Sequence, residues 1–263
     1  MSFTGKDPAV TYQDILYVDN SNNGVDATKR SIKSGEGSST ACSISTDAMI
    51  LQPQASDTTN AFVSKAKGGT NLFQVDSTNS TVKALGVHTN TQYAYFGFGP
   101  DSNDALSANT HYAVPFFGMV NKINTFAVDI GTGTDPDTTF TTANTNSQYA
   151  SQLAQMMWYV PDNISIDAVH SIEGADAATG DTTRMHLMSY TFTSGSTSAL
   201  TSGTLLAHNS DVTNAGNEQA YLSTWTIDSA AVTSGKVILA TFRSDSVNSD
   251  YTINITVKYH ITG

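Results

Sequence analysis

The chain has a single cysteine, Cys42, in 263 residues, so no internal disulfide can form. Charged side chains make up 13% of it, about half the roughly 25% of an ordinary globular chain. Basic residues are scarcest, with 12 Lys and Arg against 23 Asp and Glu and a formal charge of −11. A chain so poor in cations has no basic stripe with which to hold a phosphate backbone, and nucleic acid is not an expected partner. No apolar run approaches the ~18 residues of a membrane helix, so membrane insertion is not expected either. Met1 to Asp7 has no apolar stretch of the secretory kind. The expectation is synthesis and folding in a cytoplasm, with release by lysis or as part of a particle. Internal repeats and apolar heptads are missing too, which argues against a long fibrous shaft.

Recognisable reaction motifs are also absent. There is no G-x-S-x-G elbow, and Cys42 lies in a plain strand-like run. Gly35-Glu36-Gly37-Ser38-Ser39 lacks the lysine of a phosphate loop, and no helical pattern follows it. Asp19-Asn20-Ser21-Asn22-Asn23-Gly24 imitates the start of a calcium loop, but its twelfth position is Arg30 where a glutamate is needed. It reads as a turn between strands. Asp101-Ser102-Asn103-Asp104 and Asp129 to Asp137 offer hard oxygen ligands that could hold a cation, but solvated turns are the better account of them. The six histidines, His88, His111, His170, His186, His208 and His260, never stand three or four residues apart, so no helical zinc pair exists. His186 and His260 fall at alternating strand positions, as residues of a wet face or an interface do. The reading is therefore of a non-enzyme, with no catalytic, cofactor-binding or metal-binding residue assigned. A pair of carboxylates for glycoside hydrolysis would be close in space and not in sequence, and nothing singles one out.

What the sequence does contain is strand pattern. From Tyr251 to Ile261 apolar and polar residues alternate at every step, the period of a strand with one dry and one wet face. A strand this close to a terminus frays unless paired, so it is expected in the middle of a sheet, with Gly235 to Arg243 as its hairpin partner. Further strands are expected at Tyr112–Met119, Ile164–Ile172, Arg184–Thr193, Gly203–His208 and Tyr221–Asp228, with a turn at Gly174-Ala175-Asp176. Ser147 to Trp158 carries helical spacing and is the one short helix expected, running into a strand from Met157 to Val160. Residues 1–85 read as short strands with turn signals about every ten residues, an all-β meander. Residues 86–263 read as eight to ten strands, most simply two stacked antiparallel sheets of jelly-roll type. The two segments also differ in charge. The first holds seven Lys and Arg against eight Asp and Glu; the second holds five against fifteen. Large apolar residues are sparse in residues 1–85, and a short meander without a core exposes edges and half-dry faces. Packing against copies of itself or docking on a larger surface would remedy that. Tyr93, Tyr95, Trp158, Tyr159 and Trp225 are the aromatics that could stack on a sugar or, alternatively, fill the core.

Two stretches carry a resemblance. Gly5-Lys6-Asp7-Pro8-Ala9-Val10-Thr11-Tyr12-Gln13-Asp14-Ile15-Leu16-Tyr17-Val18-Asp19-Asn20 is one, continuing to Asp26. Gly68-Gly69-Thr70-Asn71-Leu72-Phe73-Gln74-Val75-Asp76-Ser77-Thr78-Asn79 is the other, continuing to Lys83. Both resemble fibre-like virion proteins of tailed phages of marine and aquatic bacteria, of the head-fibre, decoration and tail-fibre kinds. The resemblance covers about a third of the chain and brings no catalytic residue with it. It implies a homotrimer on the virion surface, made in the host cytoplasm. Residues 1–85 would attach to the major capsid protein or another virion protein and would trimerise. Residues 86–263 would face outward. The expected role is capsid decoration or head fibre. The alternatives are a short tail fibre that adheres to host surface glycans and, more remotely, a small polysaccharide depolymerase.

Overall fold

The computed structural model describes residues 15–21, 23–99, 106–116, 128–141, 150–175, 179–247 and 251–262. The chain divides into two units, Met1–Thr89 and Asn90–Gly263.

Frequent turn residues cut the first unit into strands of two to six residues. β1 (Leu16–Val18), β2 (Arg30–Ser34), β3 (Ser39–Ile44) and β4 (Met49–Leu51) form one antiparallel sheet in chain order. β5 (Phe62–Lys65), β6 (Asn71–Asp76), β7 (Thr81–Ala84) and β8 (Val87–His88) form a second. Two hairpins close on glycines in the left-handed region, Gly37 at φ +87° and Gly69 at φ +91°, a conformation that costs a residue with a Cβ. Polar groups fix the turns. Arg30 Nη2 donates to Asp26 Oδ2 at 3.0 Å, and the side chain of Asn79 donates to Asp76 at 2.7 Å. Among the described residues of this unit, no apolar side chain is buried. Twelve large ones are exposed, Leu16, Met49 and Leu85 by 64%, 67% and 71%.

The second unit is built differently, because its strands are long enough to line a core. It comprises β9 (Thr91–Phe98), β10 (Tyr112–Val114), α1 (Ala150–Leu153), β11 (Trp158–Tyr159), β12 (Ile164–Ala175), β13 (Thr182–Phe192), β14 (Leu200–His208), β15 (Val212–Thr213), β16 (Gln219–Thr224), β17 (Thr226–Ile227), β18 (Ala231–Val232), β19 (Lys236–Ser244) and β20 (Tyr251–Ile261). One antiparallel sheet runs β16-β12-β20-β9, with β18 also on β12. The other runs β10-β19-β13-β14-β17, with β11 on β19 and β15 on β13. The inner faces meet in one cluster. Phe96, Ile166, Val169, Tyr251, Ile255 and Val257 of the first sheet pack with Met185, Leu187, Leu206, Ile238, Ala240 and Phe242 of the second. The outer face of the second sheet holds another cluster. There Met188, Tyr190, Val237 and Leu239 are covered by Val128, Ile130, Phe140, Leu153 and Met156.

The closing strand lies between β12 and β9, as its alternation requires. Gly235 to Arg243 does form a strand, but it is not the hairpin partner of β20. As β19 it belongs to the opposite sheet and pairs with β13, β10 and β11. The physical reason is its composition: six consecutive residues of β19 are buried, so it needs cover on both faces, and only the sheet carrying two clusters offers that. The predicted strand Tyr221–Asp228 is split at buried Trp225, its halves joining different sheets. Gly174 and Ala175, read as a turn, continue β12 instead. Asp176 and the predicted strand end at Met119 lie outside the described residues.

One irregularity sets the rest of β12. Its register against β20 shifts between Ile166 and Ala168, a bulge that leaves Asp167 unpaired and reverses the facing of every later side chain. Before it Ile164 and Ile166 point inward. After it Val169, Ser171, Glu173 and Ala175 are buried and Ile172 is 53% exposed.

Replacing an inward residue of β20 should cost far more than replacing its outward neighbour. Ile255→Ala is expected to lower the unfolding free energy by about 3 kcal/mol, and Asn254→Ala by about 0.5 kcal/mol or less. Both tryptophans, Trp158 and Trp225, lie in the second unit, so urea unfolding followed by their fluorescence reports on that unit. Similar losses for the two variants would contradict the assigned facing.

Candidate functional site

Three places in the second unit combine polar chemistry with defined geometry. The first is the outer face of the β16-β12-β20-β9 sheet. In β9 Ala94, Phe96 and Phe98 are buried, so Tyr93 and Tyr95 point outward, 54% and 46% exposed. Residues two apart on a strand lie roughly 7 Å from one another on the same face. Tyr93 is paired with Lys258 and Tyr95 with Thr256 on β20, and His170 on β12 is paired with Thr256. His170 Nδ1 lies 3.1 Å from Thr224 Oγ1. Two aromatic rings beside a lysine and a row of hydroxyl and imidazole groups can stack on and hydrogen-bond a polar ligand. Tyr159 is exposed as well. Trp158 and Trp225 are not available for stacking. Trp158 lies against Phe116 and Tyr259 in the core, and Trp225 Nε1 donates to Ser171 Oγ at 2.9 Å.

The second place is Glu173, 1% exposed on the inner face of β12. Burial pushes its carboxyl up to about 7. Thr183 Oγ1 lies 2.8 Å from Oε1 and 2.6 Å from Oε2. A hydroxyl has one hydrogen, so both contacts are satisfied together when the carboxyl itself is protonated and donates one of them. Nearby, the Tyr251 hydroxyl donates to Asp181 Oδ2 at 3.0 Å and lies 3.2 Å from Ser244 Oγ. A carboxyl that keeps its proton to neutral pH has the property a general acid needs, but Glu173 is enclosed between the sheets.

The third place is on the outer face of the other sheet, where β13 presents Tyr190, Met188, His186 and Arg184 in a row. His186 is completely buried, and its ring packs edge-on against buried His111 at 4.9 Å between centroids. On its other side is His208, at 6.3 Å. His186 and His208 are cross-strand partners, as are Arg184 and Arg243. His208 Nδ1 lies 2.8 Å from Asp228 Oδ2. His111 Nε2 lies 3.0 Å from the Gly133 carbonyl, and His186 Nε2 lies 3.5 Å from Asp135 Oδ1. Burial, then the charges of His111, Arg184, His208 and Arg243, push His186 down to about 3. Burial also holds His111 below the usual imidazole range. Like charges opposite one another on a sheet repel. The arginines offset this by bonding elsewhere, Arg243 Nη2 to Asn109 Oδ1 at 2.7 Å and Arg184 Nη1 to Asp211 Oδ1 at 3.6 Å. A cavity of about 230 Å³ opens beside them.

His186 and His260 are thus not wet-face residues. Residues around Val128–Asp137 cover His186, and His260 is 7% exposed, with Nδ1 2.9 Å from Asp167 Oδ1 at the bulge. Asp19 is held by Lys33 Nζ at 3.0 Å, the turn expected. Asp129 Oδ1 accepts the Gly131 N–H at 2.7 Å, and the Asp137 carbonyl accepts the Tyr190 hydroxyl at 2.8 Å. Asp101 to Asp104 lie outside the described residues. Glu173 was missed in the sequence. Its signal was there, in the break of alternation at Asp167-Ala168 that turns Glu173 inward. No protein-family model matches the chain, and neither does any curated protein.

A carboxyl raised from an ordinary 4.5 to about 7 stabilises the fold least when ionised. Its contribution is fully present below pH 4.5 and is lost as pH rises through 7. The isosteric Glu173→Gln variant removes that loss. It should be more stable than the parent at pH 8, by up to about 3 kcal/mol, with the gain gone near pH 4.5. Thermal melts across this range check it; a gain independent of pH would refute the assignment.

Proposed function

We propose that this protein is a non-enzymatic structural component of a tailed-phage particle, a homotrimer on the head surface acting as a decoration protein or head fibre. The observation that carries the reading is the lack of buried apolar side chains among the described residues of the first unit, where twelve large ones stand exposed. Burying such a side chain stabilises by about 1.5–3 kcal/mol, and sheets this small are marginal alone. Both facts favour cover supplied by sister chains or by a capsid shell. The resemblance of Gly5 to Asp26 and Gly68 to Lys83 to virion proteins points the same way. So does the charge division, a near-neutral attachment segment joined to an acidic body. Within this reading the first unit is a meander that trimerises and docks. The second is an outward jelly-roll sandwich, an assignment favoured by the chain's repeated passage between the two sheets from β12 to β20.

Tyr93 and Tyr95 favour a second reading, a short tail fibre whose outer sheet face adheres to host glycans. Copy number distinguishes the two. Hundreds of copies per purified particle fit a capsid component, about a dozen fit a tail fibre, and none would refute both. Glycan or cell binding lost in the Tyr93→Ala/Tyr95→Ala double variant would favour the fibre.

In solution the full chain should sediment at three times the 27.8 kDa of one chain. Replacing exposed Leu16 and Met49 with aspartate should shift it toward the monomer, with the second unit's fluorescence unfolding unchanged. A parent that sediments as a monomer at all concentrations would overturn the trimer.

A further inference from the structure

Residues 86–263 hold five basic side chains, and two of these are set directly opposite one another. Arg184 on β13 and Arg243 on β19 are register partners. Like charges paired across neighbouring strands destabilise a sheet. Each guanidinium presents several N–H donors in a planar fork, and the chain supplies few acceptors for them. Arg243 Nη2 donates to Asn109 Oδ1 at 2.7 Å. Arg184 Nη1 has Asp211 Oδ1 at 3.6 Å, an ion pair too long for a hydrogen bond. Among the described residues, the Nε of neither arginine has a partner. Both side chains line the cavity of about 230 Å³.

We infer that this cavity binds a small carboxylate carrying hydrogen-bond donors of its own, a sugar acid or an amino acid, with its carboxylate held between Arg184 and Arg243. Paired arginine forks match the planar, two-oxygen shape of that group. The remaining walls select the rest of the ligand. Asp211 and Asp245 also line the cavity, and they repel a bare anion while accepting from a hydroxyl or an ammonium. Asp245 Oδ1 is taken by the Thr182 N–H at 2.8 Å, which leaves Oδ2 for the ligand. Asn109 is fixed at the rim. Its N–H donates to the Ser244 carbonyl at 2.7 Å, and its backbone sits at φ +61°, a strained conformation of the kind that gathers at binding sites. A bound carboxylate also offsets the charges of Arg184 and Arg243, which help to hold neighbouring His186 neutral. The cavity lies wholly within the second unit and does not depend on how the chain assembles.

The test is titration of the full-length protein with glucuronate and with serine at constant ionic strength, with acetate and glucose as the two halves of the ligand. It is read by calorimetry and by the side-chain Nε–H resonances of arginine. Glucuronate or serine should bind once per chain, at least about tenfold more tightly than acetate or glucose, and should shift the resonances of Arg184 and Arg243. Glucuronate binding assigns the donors as hydroxyls, and serine binding as an ammonium. Arg184→Gln and Arg243→Gln each remove one of the two opposed charges and should weaken binding by at least about tenfold, with the tryptophan fluorescence melt showing that the fold is kept. Lys65→Gln, in the first unit, removes the same charge and should leave binding unchanged. Failure of both ligands to bind would overturn the inference, as would acetate or glucose binding equally well. Binding that leaves the Arg184 and Arg243 resonances unmoved, or that survives both arginine variants undiminished, would overturn it too.

Discussion

Everything in this chain depends on where apolar surface can be hidden. In the second unit the problem is solved twice over. Two antiparallel sheets bury their facing sides against one another, and the β19-bearing sheet buries its other side beneath Val128, Ile130, Phe140 and Met156. β19 and β13, buried on both faces, are the consequence. Among the described residues of the first unit the same need is unmet. Its strands are short, its sheets have four strands each, and Leu16, Met49 and Leu85 face outward. Hydrogen-bonded hairpins and turn contacts define its shape, but these contribute little net stability.

Within the second unit the buried Glu173 and the buried His186 oppose one another in their response to pH. Glu173 favours low pH, because burial penalises its charged form. His186, held down near 3, favours high pH. Its contribution is present above the ordinary imidazole value of 6.5 and is lost progressively as pH falls toward 3. The two windows overlap between about pH 4.5 and 6.5, so burial of both groups makes the unit's stability flatter with pH than either alone would.

The fold was legible wherever facing followed a strict period. Tyr251 to Ile261 declared itself a central strand, and the short strands of the first unit followed the turn residues between them. Pairing was less legible, because alternation gives the faces of a strand and says nothing of its neighbour. Gly235 to Arg243 was therefore recognised as a strand and given the wrong partner; the unbroken apolar run Val237 to Ala240 was the sign that it needed cover on both sides. The bulge at Asp167 hid Glu173, since a period of two carried straight through it places Glu173 in water. The histidine row was invisible for a simpler reason. His111, His186 and Asp135 are far apart along the chain, and only the cover laid over β13 brings them together.

The most direct test of this account is hydrogen–deuterium exchange on the full-length protein, at high concentration and after extreme dilution. The account predicts that amides of β1 to β8 are protected in the concentrated sample and lose that protection on dilution, while those of β12, β13, β19 and β20 keep theirs. Protection of β1 to β8 that persists unchanged in a dilute single chain would contradict it.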